Sequence, residues 1–180
     1  NRRQPGFGVA IGEQPQAIAQ LVVTIGRSVG DQQQFGAGIA GRLRGCIGNI
    51  TTDRPLARIV ASGVSALNPE IMGLGARDAC RQAMGRAGMT IDDIDMVELN
   101  EAFAAQALPV LKDLDLLDKM DEKVNVHGGA IALGHPLGMS GARLALTAMD
   151  QLRRGEGKRA LCAMCIGVGQ GIAVALEAAG

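Results

Sequence analysis

An α/β layered domain is what this sequence predicts, and three observations carry that expectation. From residue 56 onward, short runs rich in Val, Ile and Ala alternate with stretches whose apolar residues recur at helical spacing. The 180-residue chain is 47% hydrophobic and 20% charged, enough apolar material for a core without a disulfide or metal staple. Gly, Asn, Asp and Pro punctuate the boundaries between these runs.

Each element follows in turn. "LARIVASGVSA" is an apolar, β-branched run that reads as a strand. "NPEIMGLGARDACRQAMGRAG" begins with Asn68 as a candidate N-cap and Pro69 at the first helical position. Gly73 and Gly75 interrupt it, so the expected helix runs from Ala76 to Ala87 and is closed by Gly88. "TIDDIDMVELN" starts as a turn and ends as a strand over Met96–Leu99. With Asn100 as cap, the next helix would present Phe103, Ala104, Ala107, Leu108 and Leu111 on one face, with Pro109 inside it. A third helix, from near Gly138, would bury Leu137, Gly141, Leu144, Ala145, Ala148, Met149 and Leu152, leaving Arg143, Asp150, Gln151 and Arg154 outward. "RALCAMCIGVGQGIAVALEAA" reads as two strands split by a glycine-rich bend. With three Phe and no Trp or Tyr, the core must come from Ala, Val, Leu, Ile and Met.

Residues 1–50 differ: they hold ten of the 26 glycines but only two acids, Glu13 and Asp31. Apart from "AIAQLVVTIG" (Ala17 to Gly26) they show weak periodicity and form a poorly defined segment ahead of a domain over residues 51–180. A divergent segment and a translation in another reading frame both fit that composition.

Composition also excludes function classes. Net charge is zero, with 18 basic and 18 acidic residues and no basic cluster, so nucleic acid is not an expected partner. No apolar run is long enough to span a bilayer, and "NRRQPGFG" has no signal-peptide core, so neither a membrane nor secretion is expected. Four irregularly spaced cysteines then read as reduced thiols in a cytoplasmic protein.

"CAMC" has C-x-x-C spacing, but on a strand Cys162 and Cys165 point to opposite faces, which argues against a disulfide or shared metal. Cys165 is better placed for chemistry, because it closes a strand and opens "IGVGQG", where glycines let a ligand approach the backbone. His135 sits between Gly134 and Pro136 just before a helix, whose first amides would point at the same region. Asn100 reads first as an N-cap. "GVGQG" and "GLGAR" do not fit a dinucleotide-binding fingerprint.

Taken together, "NEAF" (Asn100–Phe103), "GGAIALGHPLGMSGAR" (Gly128–Arg143) and "CIGVGQG" (Cys165–Gly171) closely resemble the carboxy-terminal half of thiolases, from about Arg54 to the end. "GMSGARL" with "CIGVGQG" is most similar to the 3-oxoadipyl-CoA branch of that family. The resemblance implies one half of an α-β-α-β-α architecture, a mixed sheet covered by helices. It implies acyl transfer between CoA and a 3-oxoacyl-CoA, or Claisen condensation of acetyl-CoA, in fatty acid or aromatic degradation. His135 would activate a nucleophilic cysteine, and Cys165 would exchange a proton with the α-carbon of acetyl-CoA. Asn100 would hold a water that completes an oxyanion hole with His135. Gly167, Gly169, Phe103 and Ala130 would line the substrate. CoA esters would be substrates, with no cofactor and no metal. A cysteine shifted towards thiolate by its surroundings would suit the proton-carrying role.

The resemblance also has departures. The acylated cysteine of a thiolase sits in its amino-terminal half. Neither Cys46 nor Cys80 has the setting for it, so this chain alone would be inactive and would need that half as partner. At full length a homo-oligomer would be expected. "N-x-x-S/T-x-x-x-D-G-A" is missing ahead of "RPLARIV", "GLGAR" lacks a common proline, and Pro109 is unusual. The competing reading is a non-catalytic thiolase-like module that binds acyl groups or lipids, or scaffolds a partner.

Overall fold

A computed structural model describes residues 56–179. The 1–50 segment, the ordered stretch expected at Ala17–Gly26 and Cys46 lie outside the described residues.

The alternating pattern resolves into β1 (Ala57–Ala66), α1 (Gly75–Ala87), β2 (Met96–Leu99), α2 (Ala104–Asp113), the single turns α3 (Met120–Lys123) and α4 (Ala130–Leu133), α5 (Ser140–Arg154), β3 (Arg159–Ile166) and β4 (Gln170–Ala178). The strands form one mixed sheet in the order β1-β4-β3-β2. β2 runs parallel to β3, and β4 pairs antiparallel with both β3 and β1.

Local chemistry explains the boundaries. Asn68 caps as expected, its Oδ1 accepting from the Glu70 amide at 3.2 Å. What it caps is a 3-10 turn over Pro69–Leu74, after which α1 starts at Gly75. Gly88 ends α1 in the left-handed region (φ 66°), a conformation with no steric cost only for glycine.

Two helical layers sandwich the sheet. Ala76, Ala79, Cys80 and Ala83 of α1 and Val110 and Leu111 of α2 pack on Val97, Leu99, Leu161, Ala163, Ala173 and Ala175. On the other face, Leu144, Ala145, Ala148, Met149 and Leu152 of α5 pack on Met96, Ala160, Cys162, Val174 and Leu176. All of these are aliphatic or sulfur-bearing, as the composition requires. The small residues let backbones meet: a Cβ on Gly63 of β1 would lie 2.1 Å from the Ala79 carbonyl oxygen of α1.

Two amphipathic assignments need correction. In α2, Ala107 and Leu111 are buried as expected, but Phe103, Ala104 and Leu108 are exposed, and Gln106 and Val110 take the inward positions. In α5, Leu137 lies ahead of the helix and is exposed, whereas Gln151 is buried and Arg143 is largely covered. The cause is Glu98, in the middle of β2 and buried. Gln151 Nε2 donates to its Oε1 at 2.8 Å, and Arg143 Nη1 approaches its Oε2 at 3.6 Å. A carboxylate removed from water requires such partners, so these polar positions of α5 turn inward. Burial still outweighs them and holds the Glu98 carboxyl above its usual pKa.

Candidate active site

β2 ends at Leu99 and Asn100 follows directly. The Asn100 main-chain N–H donates to the Ala163 carbonyl at 2.9 Å, which continues the parallel pairing of β2 with β3 by one step. Cys165 stands two residues further along β3, at the carboxyl end of the same parallel pair. In α/β sheets, that end is where ligands bind.

Asn100 is 0% exposed and does not cap a helix. α2 starts only at Ala104, with Phe103 at its cap position in extended conformation. The expected cap is lost because Asn100 has another partner: its Nδ2 lies 3.2 Å from His135 Nε2. Its Oδ1 accepts no hydrogen bond among the described residues.

On the far side of the imidazole, His135 Nδ1 lies 2.6 Å from Ser140 Oγ, and that hydroxyl donates to the Pro136 carbonyl at 3.1 Å. One assignment satisfies all three contacts. The Ser140 proton goes to Pro136, Oγ accepts from Nδ1–H, and Nε2 keeps a lone pair facing the Asn100 amide. In that assignment Nδ1 carries the proton and Nε2 the basic lone pair, on the side of Asn100. The amides at the start of α5 serve differently from the expectation, since Met139 and Ser140 both donate to the Pro136 carbonyl, at 2.9 and 3.0 Å. Orientation reaches His135 through the Ser140 side chain instead.

Cys165 shares the sheet end with this group, but no hydrogen bond among the described residues joins it to Asn100 or His135. Burial raises its pKa above the ordinary thiol value, so at rest it is a neutral S–H, not the thiolate-shifted group expected above. Cys162 belongs to the opposite face, with its Sγ 3.7 Å from the Leu144 carbonyl. Both are free thiols, as the strand alternation requires. Cys80 is sealed in the core, and burial pushes its pKa up to about 12. Alkylation by iodoacetamide, followed by peptide mass spectrometry, should therefore modify Cys165 before Cys80 and Cys162. Its rate should keep rising with pH beyond about 8.5, the ordinary thiol pKa. A rate that levels off below about pH 8.5 would contradict that protonation state.

The residues expected to line a substrate divide. Phe103 is 67% exposed, at the start of α2, and Gly167 is exposed in the β3–β4 turn. Ala130 is buried as the first residue of α4. Gly169 is buried with φ 79°, and a Cβ there would lie 2.1 Å from the Leu67 carbonyl oxygen, so its small size also serves packing. Between the two glycines, Val168 takes φ 62°, a strained conformation for a β-branched residue. Sequence reasoning missed Ser140, Asn125 and Glu101 as contributors. Ser140 carried a local signal, lying five residues after His135 at the start of a helix, and Glu101 lay inside "NEAF"; Asn125 had none.

The thiolase C-terminal domain family matches residues 53–178. 3-ketoacyl-CoA thiolases from Stutzerimonas stutzeri and Alcanivorax borkumensis are 56% and 58% identical over 124 residues, 69% of this chain but 32% of each relative. The chain thus spans about a third of the length of the curated relatives it matches. Among solved structures, human mitochondrial 3-ketoacyl-CoA thiolase aligns with a TM-score of 0.66 and 52% identity, over 70% of this chain and 31% of its own; it has also been solved in complex with CoA. The Bacillus anthracis acetyl-CoA acetyltransferase aligns with the same TM-score of 0.66 at 41% identity, over 69% of this chain and 31% of its own. The mixed sheet between helical layers, the three linked motifs and these alignments place the chain in the thiolase family, in which it corresponds to the C-terminal domain.

Proposed function

We propose that this chain supplies the carboxy-terminal part of a thiolase that transfers acyl groups between CoA and a 3-oxoacyl-CoA, and that it depends on an amino-terminal half for the nucleophilic cysteine. The observation that carries the reading is the chain of contacts Asn100–His135–Ser140 at the carboxyl end of β2, with Cys165 at the same end of β3. A buried asparagine whose Oδ1 has no partner among the described residues can hold a water as donor, and beside an imidazole that suits the stabilisation of thioester oxyanion charge better than it suits plain packing.

In the cleavage direction, His135 Nε2 takes the proton of the partner cysteine, and the thiolate attacks the 3-oxo carbon. The bond between C2 and C3 breaks, leaving the acyl group on that sulfur and releasing the enolate of acetyl-CoA. Asn100, through a bound water, and the newly protonated Nε2–H hold the enolate oxygen. Cys165, neutral at rest, gives its proton to the enolate carbon. Its thiolate regains a proton, through solvent, from the Nε2–H of His135. The freed Nε2 then takes the proton of the incoming CoA thiol, and CoA displaces the acyl group. The released cysteine thiolate takes that proton back from Nε2–H, which restores the starting state. A raised thiol pKa matches a group that must begin as a proton donor. Splitting the transfer through an acyl-enzyme is the gain of covalent catalysis. The exposed apolar side chains Phe103, Leu137, Met139 and Val168, in the segments that carry the site, fit burial by the amino-terminal half and an acyl-CoA.

A 3-oxoacyl-CoA cleavage assay tests the proposal. The chain alone should show no turnover, and adding a separately expressed amino-terminal thiolase half should restore it. Robust turnover by the chain alone would overturn the dependence on a partner half. CoA-ester binding without turnover in the folded complex would favour a non-catalytic binding module.

A further inference from the structure

Three neighbouring residues at the end of β2 are each tied to the segment that delivers His135. Leu99 is held by Asn125, Asn100 meets His135, and Glu101 Oε2 accepts from the Ile131 amide at 3.0 Å. The first of these ties is unusual. Asn125 Oδ1 accepts the Leu99 N–H at 2.9 Å while Asn125 Nδ2 donates to the Leu99 carbonyl at 2.8 Å, so the carboxamide does the work of a peptide in an adjacent strand. One residue earlier a true bridge exists, Val97 with Val124, and the Asn125 amide donates to the Val97 carbonyl at 2.9 Å.

The backbone of Asn125 turns away at that point, with φ 48°. Asparagine tolerates this left-handed region better than most residues. Its side chain thus continues the edge pairing of β2 while its main chain leaves towards His135. Gly129 marks how tightly the ties converge: a Cβ there would lie 2.2 Å from Glu101 Oε2 and 2.7 Å from Asn125 Nδ2.

We propose that Asn125 is a positioning residue that sets the Asn100–His135 distance and, through it, the tautomer of His135, with Glu101 as the second anchor of the same segment. Among the described residues it makes no hydrogen bond to either side chain of the pair. It fixes the residue immediately before Asn100 to the root of the loop carrying His135, so both partners are referred to one rigid strand end. The inference rests on Asn100 and His135 acting as a pair, as proposed above.

The test reads the imidazole directly. The chain contains two histidines, so a His127→Gln background leaves one. Long-range ¹H–¹⁵N correlation spectra of the full chain at about pH 8, above the ordinary imidazole pKa, then report the His135 tautomer. In that background, a single species protonated at Nδ1 is expected. Asn125→Gly accepts the left-handed backbone but deletes the clamp, and should lose the single species, with a form protonated at Nε2 appearing. Asn125→Asp keeps the acceptor for the Leu99 N–H but replaces the donor with a carboxylate oxygen that faces the Leu99 carbonyl. It should shift the tautomer balance in the same direction, and it carries the test if the glycine variant does not fold. A single Nδ1–H species persisting in the folded variants would overturn the positioning role while leaving the Asn100–His135 pair intact. A mixture already present with Asn125 unchanged would instead reject the pair.

Discussion

In an enzyme completed by an amino-terminal thiolase half, His135→Ala is expected to slow acyl-enzyme formation by roughly 10²- to 10⁴-fold, the range for loss of a positioned general base. Cys165→Ala should leave acylation from an acyl-CoA nearly unchanged and block cleavage and condensation by a comparable factor. The contrast follows from position and protonation. In the proposed mechanism the Nδ1–H of His135 is spent on Ser140, so Nε2, which rests against the Asn100 carboxamide, is the nitrogen left to take a proton from sulfur. Cys165, whose pKa burial raises, starts in the proposed mechanism as the proton donor and acts where carbanion character develops at the α-carbon. Intact-mass measurement of the acylated cysteine, alongside steady-state cleavage, separates the two steps. Equal acylation of the wild-type and His135→Ala complexes would reject the assignment of the base. Loss of acylation in a folded Cys165→Ala complex would reject the division of labour.

His135→Ala also removes a partner from two buried polar groups, the Asn100 carboxamide and the Ser140 hydroxyl. Leaving one such group unsatisfied costs about 1–3 kcal/mol. Stability and acylation must therefore be measured on the same preparation. A variant that retains its fold and still fails to acylate isolates the chemical effect.

Much of this arrangement was legible in the residues themselves. β2 has the expected bounds, and α1 differs from expectation by one residue, because β-branched runs and a helix-closing glycine are local signals. Strand alternation was enough to place Cys162 and Cys165 on opposite faces. What the sequence could not convey is what depends on a partner far along the chain. Asn100 suits an N-cap and a buried hydrogen bond equally well. The outcome is decided by His135, 35 residues away, and by ties on Leu99 and Glu101 that keep the backbone from entering α2. Gln151 and Arg143 carry outward-facing chemistry until Glu98 is seen to be buried beneath them. The protonation of Cys165 depends on how completely the surrounding elements cover it, a property no local pattern records.

Gly171→Ala is expected to be among the most destabilising single-methyl additions in the domain. Gly171 lies on a rung with Ser65 of β1 on one side and Cys165 of β3 on the other. The first residue of α1 rests directly on it: an added Cβ would lie 2.1 Å from the Gly75 carbonyl carbon and 2.7 Å from the Ala76 nitrogen. Those atoms are main chain, so no side chain can swing aside, and the Ser65 hydroxyl bonded to the Gly75 carbonyl at 2.6 Å pins the helix start from the same rung. Relief requires moving α1 off the sheet, at a cost near the upper end of the overpacking range, about 3 kcal/mol. That corresponds to a fall of roughly 10 °C in Tm for a domain of this size. Gly85 on the same helix is the control. It has helical backbone and nothing within 4 Å of an added Cβ, so Gly85→Ala should raise stability by about 1 kcal/mol through helix propensity alone. Thermal unfolding of the two variants should move in opposite directions, and an unchanged or raised Tm for Gly171→Ala would mean that α1 does not bear on β4 through these backbones. Because Cys165 is the cross-strand neighbour of Gly171, the displacement should also reach the thiol: Gly171→Ala should let iodoacetamide modify Cys165 faster at a fixed pH, while Gly85→Ala leaves that rate unchanged.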